Sequence, residues 1–120
     1  MKVKLWHEFR FEAAHRLPNV AEGHKCARLH GHSFKIEVAV EGPVDERTGW
    51  LVDFGVLEEA WRPLYAQLDH NYLNEISGLE NPTSENLARW IWARMRPALP
   101  LMTRVVVHEI CVARCEYAGD

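Results

Sequence analysis

Two runs of strict alternation, each with histidine at one end, limit the folds open to this chain more than anything else in it. From Val3 to His15 the odd positions read Val3, Leu5, His7, Phe9, Phe11, Ala13, His15, and the even positions from Lys2 to Glu12 are mostly charged. From His30 to Val40 the even positions read His30, His32, Phe34, Ile36, Val38, Val40, whereas Ser33, Lys35 and Glu37 fill odd ones. A period of two with one apolar face is the pattern of a half-buried strand. If the two strands pair antiparallel, the end of the first lies beside the start of the second. His15, His30 and His32 then meet at one end of the inner face.

Three imidazoles leave a zinc ion one open coordination position, the arrangement of a catalytic rather than a closed structural site. A single histidine on an apolar face is ordinarily a satisfied core residue, and His7 is read that way. The His30-x-His32 pair with His15 is different. Two imidazoles facing a core at i and i+2 are costly to bury unless something accepts their lone pairs.

The chain has 120 residues, enough for one domain with a single core. A formal charge of −3 and the absence of a basic run argue against nucleic acid as the main partner. No segment approaches the roughly 18 apolar residues of a membrane span, and MKVKLWHEF lacks the apolar core of a secretory signal. Three cysteines, an odd number, suggest no disulfide framework. The expectation is a soluble cytoplasmic protein with reduced thiols.

Arg16 to Leu29 is too long for a tight turn, and loops of that length in compact domains are often functional. Trp50 to Asp53 reads as a short third strand. Asp53 can cap a helix from Phe54 whose apolar stripe is Leu57, Trp61, Leu64 and Leu68. Pro63 inside it predicts a kink or restart. Asp69 to Asn74 reads as a loop. A second helix opens near Thr83 or Ser84 as N-cap, with Leu87, Ile91 and Met95 facing the core, and Pro97 ends it. Arg104 to Ile110 and Cys115 to Tyr117 close the chain as strands. Helices segregated against an antiparallel sheet make an α+β domain. Cys111 and Cys115 are expected to be buried packing residues. Trp6, on the polar face, suits a subunit interface.

Five further residues carry chemistry. Cys26 is either a fourth zinc ligand or a free thiol beside an open metal, its thiolate favoured by Lys25, Arg28 and the ion. His24 offers a weaker ligand pair with it. Asp69-His70 suits a carboxylate orienting an imidazole for proton transfer. Glu109 shares parity with Val105 and Val107, so it points inward and needs a partner. That partner is an internal arginine or, slightly favoured, a ligand with an amidine-like edge such as a guanine or a pterin.

Taken in order, Phe11-Glu12-Ala13-Ala14-His15, Cys26-x-x-x-His30-Gly31-His32, Leu68-Asp69-His70, Asn81-Pro82-Thr83-Ser84-Glu85-Asn86 and the inward Glu109 resemble the 6-pyruvoyl-tetrahydropterin synthase family. The three-residue gap after Cys26 is most similar to its bacterial branch, the 6-carboxy-5,6,7,8-tetrahydropterin synthases of queuosine biosynthesis. The resemblance implies the tunnelling fold over the whole of residues 1–120, an antiparallel sheet with two helices on one face. It further implies a homohexamer built as a dimer of trimers, with sites at subunit interfaces. The implied activity is a zinc-dependent lyase acting on 7,8-dihydroneopterin triphosphate. It implies zinc on His15, His30 and His32, Cys26 as general base, His70 oriented by Asp69 as its counterpart, and the pterin ring on Glu109 helped by Thr83 and Ser84. Lys25 and Arg28, beside the metal, are expected to meet the triphosphate. Two alternatives remain open: a 6-pyruvoyl-tetrahydropterin synthase activity, and a non-catalytic module in which Cys26 closes a structural zinc site.

Overall fold

The computed structural model describes all 120 residues. Its frame is a hairpin of two 14-residue strands, β1 (Lys2–His15) and β2 (His30–Pro43). At about 3.4 Å per residue such strands span some 45 Å, which explains a molecule 57 Å long and 24 Å across. The sheet continues through β4 (Met102–Ile110) and β5 (Ala113–Tyr117), and its other edge is β3 (Asn71–Tyr72). Strand order is β3-β1-β2-β4-β5. The sheet is mixed rather than purely antiparallel, because β3 runs parallel to β1 at Ala13 and Ala14.

The alternation read from the sequence is the one that packs. Phe9, Phe11, Ala13 and His15 of β1 are buried, as are Phe34, Ile36, Val38 and Val40 of β2. Against this face lie α1 (Phe54–Leu68) and α2 (Ser84–Met95). Helix α1 starts where Asp53 Oδ1 accepts the Gly55 N–H at 3.0 Å, and it buries Leu57, Trp61, Leu64 and Leu68. Each fully covered leucine contributes about 2 kcal/mol through apolar surface removed from water. Thr83 caps α2, its Oγ1 accepting the Asn86 N–H at 3.1 Å, and Leu87, Ile91 and Met95 reach the core. No helix is long and apolar enough to cross a membrane.

Four expectations need correction. Trp50 to Asp53 is a bend with no strand pairing, and Trp50 is exposed. Asp69 to Asn74 is not a plain loop, since it contains β3 and enters a 3-10 turn at Leu73–Glu75. Helix α1 runs through Pro63 without a restart, because Pro63 and Glu59 are both exposed and water can satisfy the carbonyl that proline leaves without a donor. Cys111 is exposed in the β4–β5 turn, whereas Cys115 packs against the core, which raises its thiol pKa.

Candidate functional site

Cross-strand register builds the centre of the site. His15 pairs with His30 and Ala13 with His32, so three imidazoles converge at the open end of the hairpin. Ring centroids are 4.6 Å apart for His15 and His30, 5.2 Å for His15 and His32, and 4.8 Å for His30 and His32. Their potential ligand nitrogens all lie within 4.8 Å of one another.

Backbone carbonyls fix two of the tautomers. His15 Nδ1 donates to the Pro82 carbonyl at 2.9 Å, and His30 Nδ1 donates to the Arg28 carbonyl at 2.7 Å. A carbonyl only accepts, so each proton sits on Nδ1 and each Nε2 keeps its lone pair. The Nε2 atoms of His15 and His32 are buried and have no hydrogen-bond partner. Burial holds the pKa of both rings below the usual histidine value. For His15 it outweighs the opposing effects of the Pro82 bond and the Glu109 charge, and both rings therefore favour the neutral form that a metal requires. Imidazoles oriented through Nδ1–H, as at His15 and His30, and with unpartnered buried Nε2 atoms, as at His15 and His32, are the donors that zinc takes.

Glu109 completes this centre. A β-bulge interrupts the β4–β5 ladder between His108 and Ile110, at Glu109. Its Oε1 lies 3.6 Å from His15 Nε2 and its Oε2 lies 3.9 Å from His32 Nε2. Ser84, the first residue of α2, donates its hydroxyl to Glu109 Oε1 at 3.4 Å. The inward carboxylate thus meets Ser84 and the Nε2 atoms of His15 and His32 rather than an arginine. A cavity of about 370 Å³ opens beside it, lined by Lys25, Cys26, His30, His32, Glu109 and Ile110.

Cys26 sits in a 3-10 turn, Lys25–Ala27, capped by His24 Nδ1, which accepts the Cys26 N–H at 3.0 Å. His24 is exposed and stands outside the group of converging ligand atoms. Leu17 N–H donates to the Cys26 carbonyl at 2.8 Å, tying the long loop back to the end of β1. Lys25 lines the cavity. Arg28 is exposed, and its contribution to this centre is the backbone carbonyl on His30.

Asp69 and His70 lie elsewhere on the rim. His70 has φ +58°, the left-handed region, and its exposed ring is held by Asp69 Oδ2, which accepts Nδ1–H at 2.7 Å. The other oxygen of Asp69 accepts the Glu12 N–H at 2.9 Å, and the Asp69 carboxyl is held below its usual pKa by these bonds, Glu12 first. His70 opens onto a shallow depression that also exposes Glu12, Gly31, His32 and Ser33. Within one chain, therefore, Cys26 and His70 line different hollows that share His32 as a wall. Thr83 faces α2 as its cap rather than the cavity.

Sequence reasoning missed the carbonyls of Pro82 and Arg28 and the backbone of Glu12. Main-chain groups leave no mark in side-chain identity, although a proline just before a helix cap hints at a carbonyl free to accept.

The family model for 6-pyruvoyl tetrahydropterin synthase matches residues 4–120. A 6-carboxy-5,6,7,8-tetrahydropterin synthase of Synechocystis is 45% identical over 119 residues, covering 94% of this chain and 91% of that protein. A dihydroneopterin monophosphate aldolase of Pyrococcus furiosus is 39% identical over 100 residues, covering 83% and 81%. The structure of Caenorhabditis elegans 6-pyruvoyl tetrahydropterin synthase superposes with a TM-score of 0.92 at 23% identity, over all of this chain and 97% of that one, which supports the shared fold. With nearly every residue inside that match, the chain belongs to the 6-pyruvoyl tetrahydropterin synthase family.

Proposed function

We propose that this chain is a zinc-dependent lyase that converts 7,8-dihydroneopterin triphosphate and one water to 6-carboxy-5,6,7,8-tetrahydropterin, releasing acetaldehyde and triphosphate, a step of queuosine biosynthesis. The observation that carries this reading is the convergence of three imidazoles beside an inward carboxylate at one cavity. The 45% identity to a protein of that name supports the choice of branch.

In this reading His15, His30 and His32 hold the metal. Bound zinc supplies Lewis acidity to the oxygens of the substrate side chain. Glu109 accepts hydrogen bonds from the amidine-like edge of the pterin ring with both oxygens, a paired contact that fixes the ring plane. Ser84 steadies that carboxylate, and Thr83 fixes the helix start that presents Ser84. Cys26 removes a proton from the side chain as general base. His70 moves the other proton, its Nε2 left as acceptor because Nδ1–H donates to the Asp69 carboxylate. Lys25, beside the cavity, meets the triphosphate, and Arg28 adds charge at the rim.

Since His70 and Cys26 open onto different hollows of one chain, the reading also carries an assembly in which copies of the chain supply the two proton-transfer groups together, a homohexamer in the cytoplasm. The single-domain reading extends over residues 1–120.

The test is incubation of the zinc-loaded protein with 7,8-dihydroneopterin triphosphate, mass analysis of the pterin and an acetaldehyde assay. Carboxytetrahydropterin with stoichiometric acetaldehyde is the expected result. A pyruvoyl product without acetaldehyde assigns the chain to the other branch. A hydroxymethyl pterin with a two-carbon aldehyde that keeps the triphosphate is the outcome expected of an aldolase. A protein that binds zinc and turns over none of these substrates is a structural zinc module, and C26A then loses metal and fold together.

A further inference from the structure

Glu109 stands in two relationships at once. It faces outward to the cavity where a pterin would sit, and it faces inward to the metal donors. In a tetrahedral zinc site with bonds of about 2.0–2.2 Å, ligand atoms are separated by roughly 3.3–3.6 Å. Glu109 Oε1 stands 3.6 Å from His15 Nε2, and Oε2 stands 3.9 Å from His32 Nε2. Those spacings approach the distance between neighbours on a shared ion. Neither nitrogen has any other polar partner, and both are buried.

We propose that in the metal-loaded, pterin-free protein the Glu109 carboxylate is the fourth ligand of the ion, and that a pterin ring removes it by claiming both of its oxygens. This rests on the zinc site and pterin anchor proposed above. A dication on three neutral imidazoles, partly withdrawn from water, favours an anionic fourth donor. Cys26 is the other anionic candidate on the same cavity. The carboxylate has its two oxygens near ligand spacing from the nitrogens of two of the histidines. The mutually close donor set contains the three imidazoles alone, so binding requires a small shift of the Glu109 side chain. Glu109 can make that shift, since it sits at a bulge whose neighbours carry the ladder bonds and its only hydrogen bond is the 3.4 Å one from Ser84.

The consequence is an ordered exchange. A carboxylate bound to the ion cannot also accept two ring N–H groups through both oxygens, so ring capture and release of the coordination position are the same event. The ion's reactive position opens only when a pterin is seated, and water or stray anions meet a filled site at other times.

Cobalt substitution reads the coordination directly, without turnover. Visible absorption of the cobalt-loaded wild type is compared with E109Q and C26A, each with and without pterin itself, whose ring has no side-chain oxygen to offer the metal. The expected result is an altered spectrum in E109Q without pterin, an unaltered one in C26A, and a wild-type spectrum that moves toward that of E109Q when pterin binds. Zinc affinity of E109Q falls at least 10- to 100-fold, the loss known for groups one step further from a metal. An E109Q spectrum identical to wild type overturns the proposal while leaving the zinc site intact. A sulfur charge-transfer band lost in C26A assigns the position to Cys26 and also overturns it. If E109Q does not fold, the wild type alone decides, because a spectrum indifferent to bound pterin is incompatible with ligand exchange. Failure of the parent reading looks different: cobalt then does not bind at one ion per chain, or H30A leaves binding unchanged.

Discussion

Glu12 and Asp69 are locked together by backbone and side chain: Glu12 N–H donates to Asp69 Oδ1 at 2.9 Å, and the Glu12 carbonyl accepts the His70 N–H at 2.6 Å. The end of β1 thereby holds in place the pair proposed above to transfer protons. H70A should lower kcat about 100- to 10,000-fold, the usual range for a lost general acid or base, with the fold unchanged. D69N should move kcat in the same direction with little effect on KM. Its amide can still accept from Glu12, but its NH2 group forces His70 into the wrong tautomer. A D69N protein with wild-type kcat would remove Asp69 from the mechanism.

The same carboxylate predicts an acid limb in stability. Its folded pKa lies below the ordinary carboxylate value of about 3.9. The unfolded chain therefore binds the proton first, and the Asp69 contribution is complete above about pH 4 and lost as pH falls through the folded value. Urea melts of D69N should be flatter than wild type below pH 4 and parallel to it at pH 7. Parallel curves throughout would show that Asp69 carries no linked proton.

His15 and His32 give a second window of the same sign, at higher pH, for the metal-free protein. Burial holds His15 and His32 below the unfolded value of about 6.5, so the unfolded chain again binds protons first. The melting temperature of metal-free protein should be constant above about pH 6.5 and decline as pH drops below it. Saturating zinc should raise the melting temperature at every pH in that range, by mass action on the folded state. Thermal scans from pH 8 to pH 5, with zinc or with chelator, check both statements.

Thr83 separates structure from binding. As the cap of α2 its hydroxyl is engaged by Asn86 N–H, and T83A should cost about 1 kcal/mol in urea unfolding. Its effect on KM should be small, because the hydroxyl is already committed. S84A should do the reverse, weakening pterin binding through Glu109 with little loss of stability. Isothermal titration with a pterin distinguishes the two.

For the triphosphate, Lys25 lines the cavity and the Arg28 side chain does not. K25A should raise KM for the triphosphate substrate about tenfold, the loss of one charge-assisted hydrogen bond, and R28A clearly less. Unchanged KM in both variants would place the phosphate chain on other cations.

What the sequence disclosed follows from range. Parity along β1 and β2 placed His15, His30 and His32 on one face, and antiparallel pairing did the rest. The caps at Asp53 and Thr83 and the stripe of α1 are local patterns, so they too were readable. The two-residue β3 exists only because Ala13 and Ala14 offer it an edge, a partner more than fifty positions away. Trp50 to Asp53 has strand-like composition with no edge to join. Parity predicted that Glu109 points inward, but not the bulge there, since a bulge depends on the neighbouring strand. Cys111 was misplaced because a residue type's average burial says little about a turn.

His70 holds its ring on a left-handed backbone, a conformation that asparagine and glycine accept more readily and that costs another residue about 1–3 kcal/mol. If His70 carries the proton transfer proposed above, laboratory selection for heat resistance alone would drift toward glycine or asparagine here, and its sturdiest survivors would be inert. Robustness and turnover pull this one position in opposite directions, so any screen for hardier forms of the protein has to score the reaction as well as the melt.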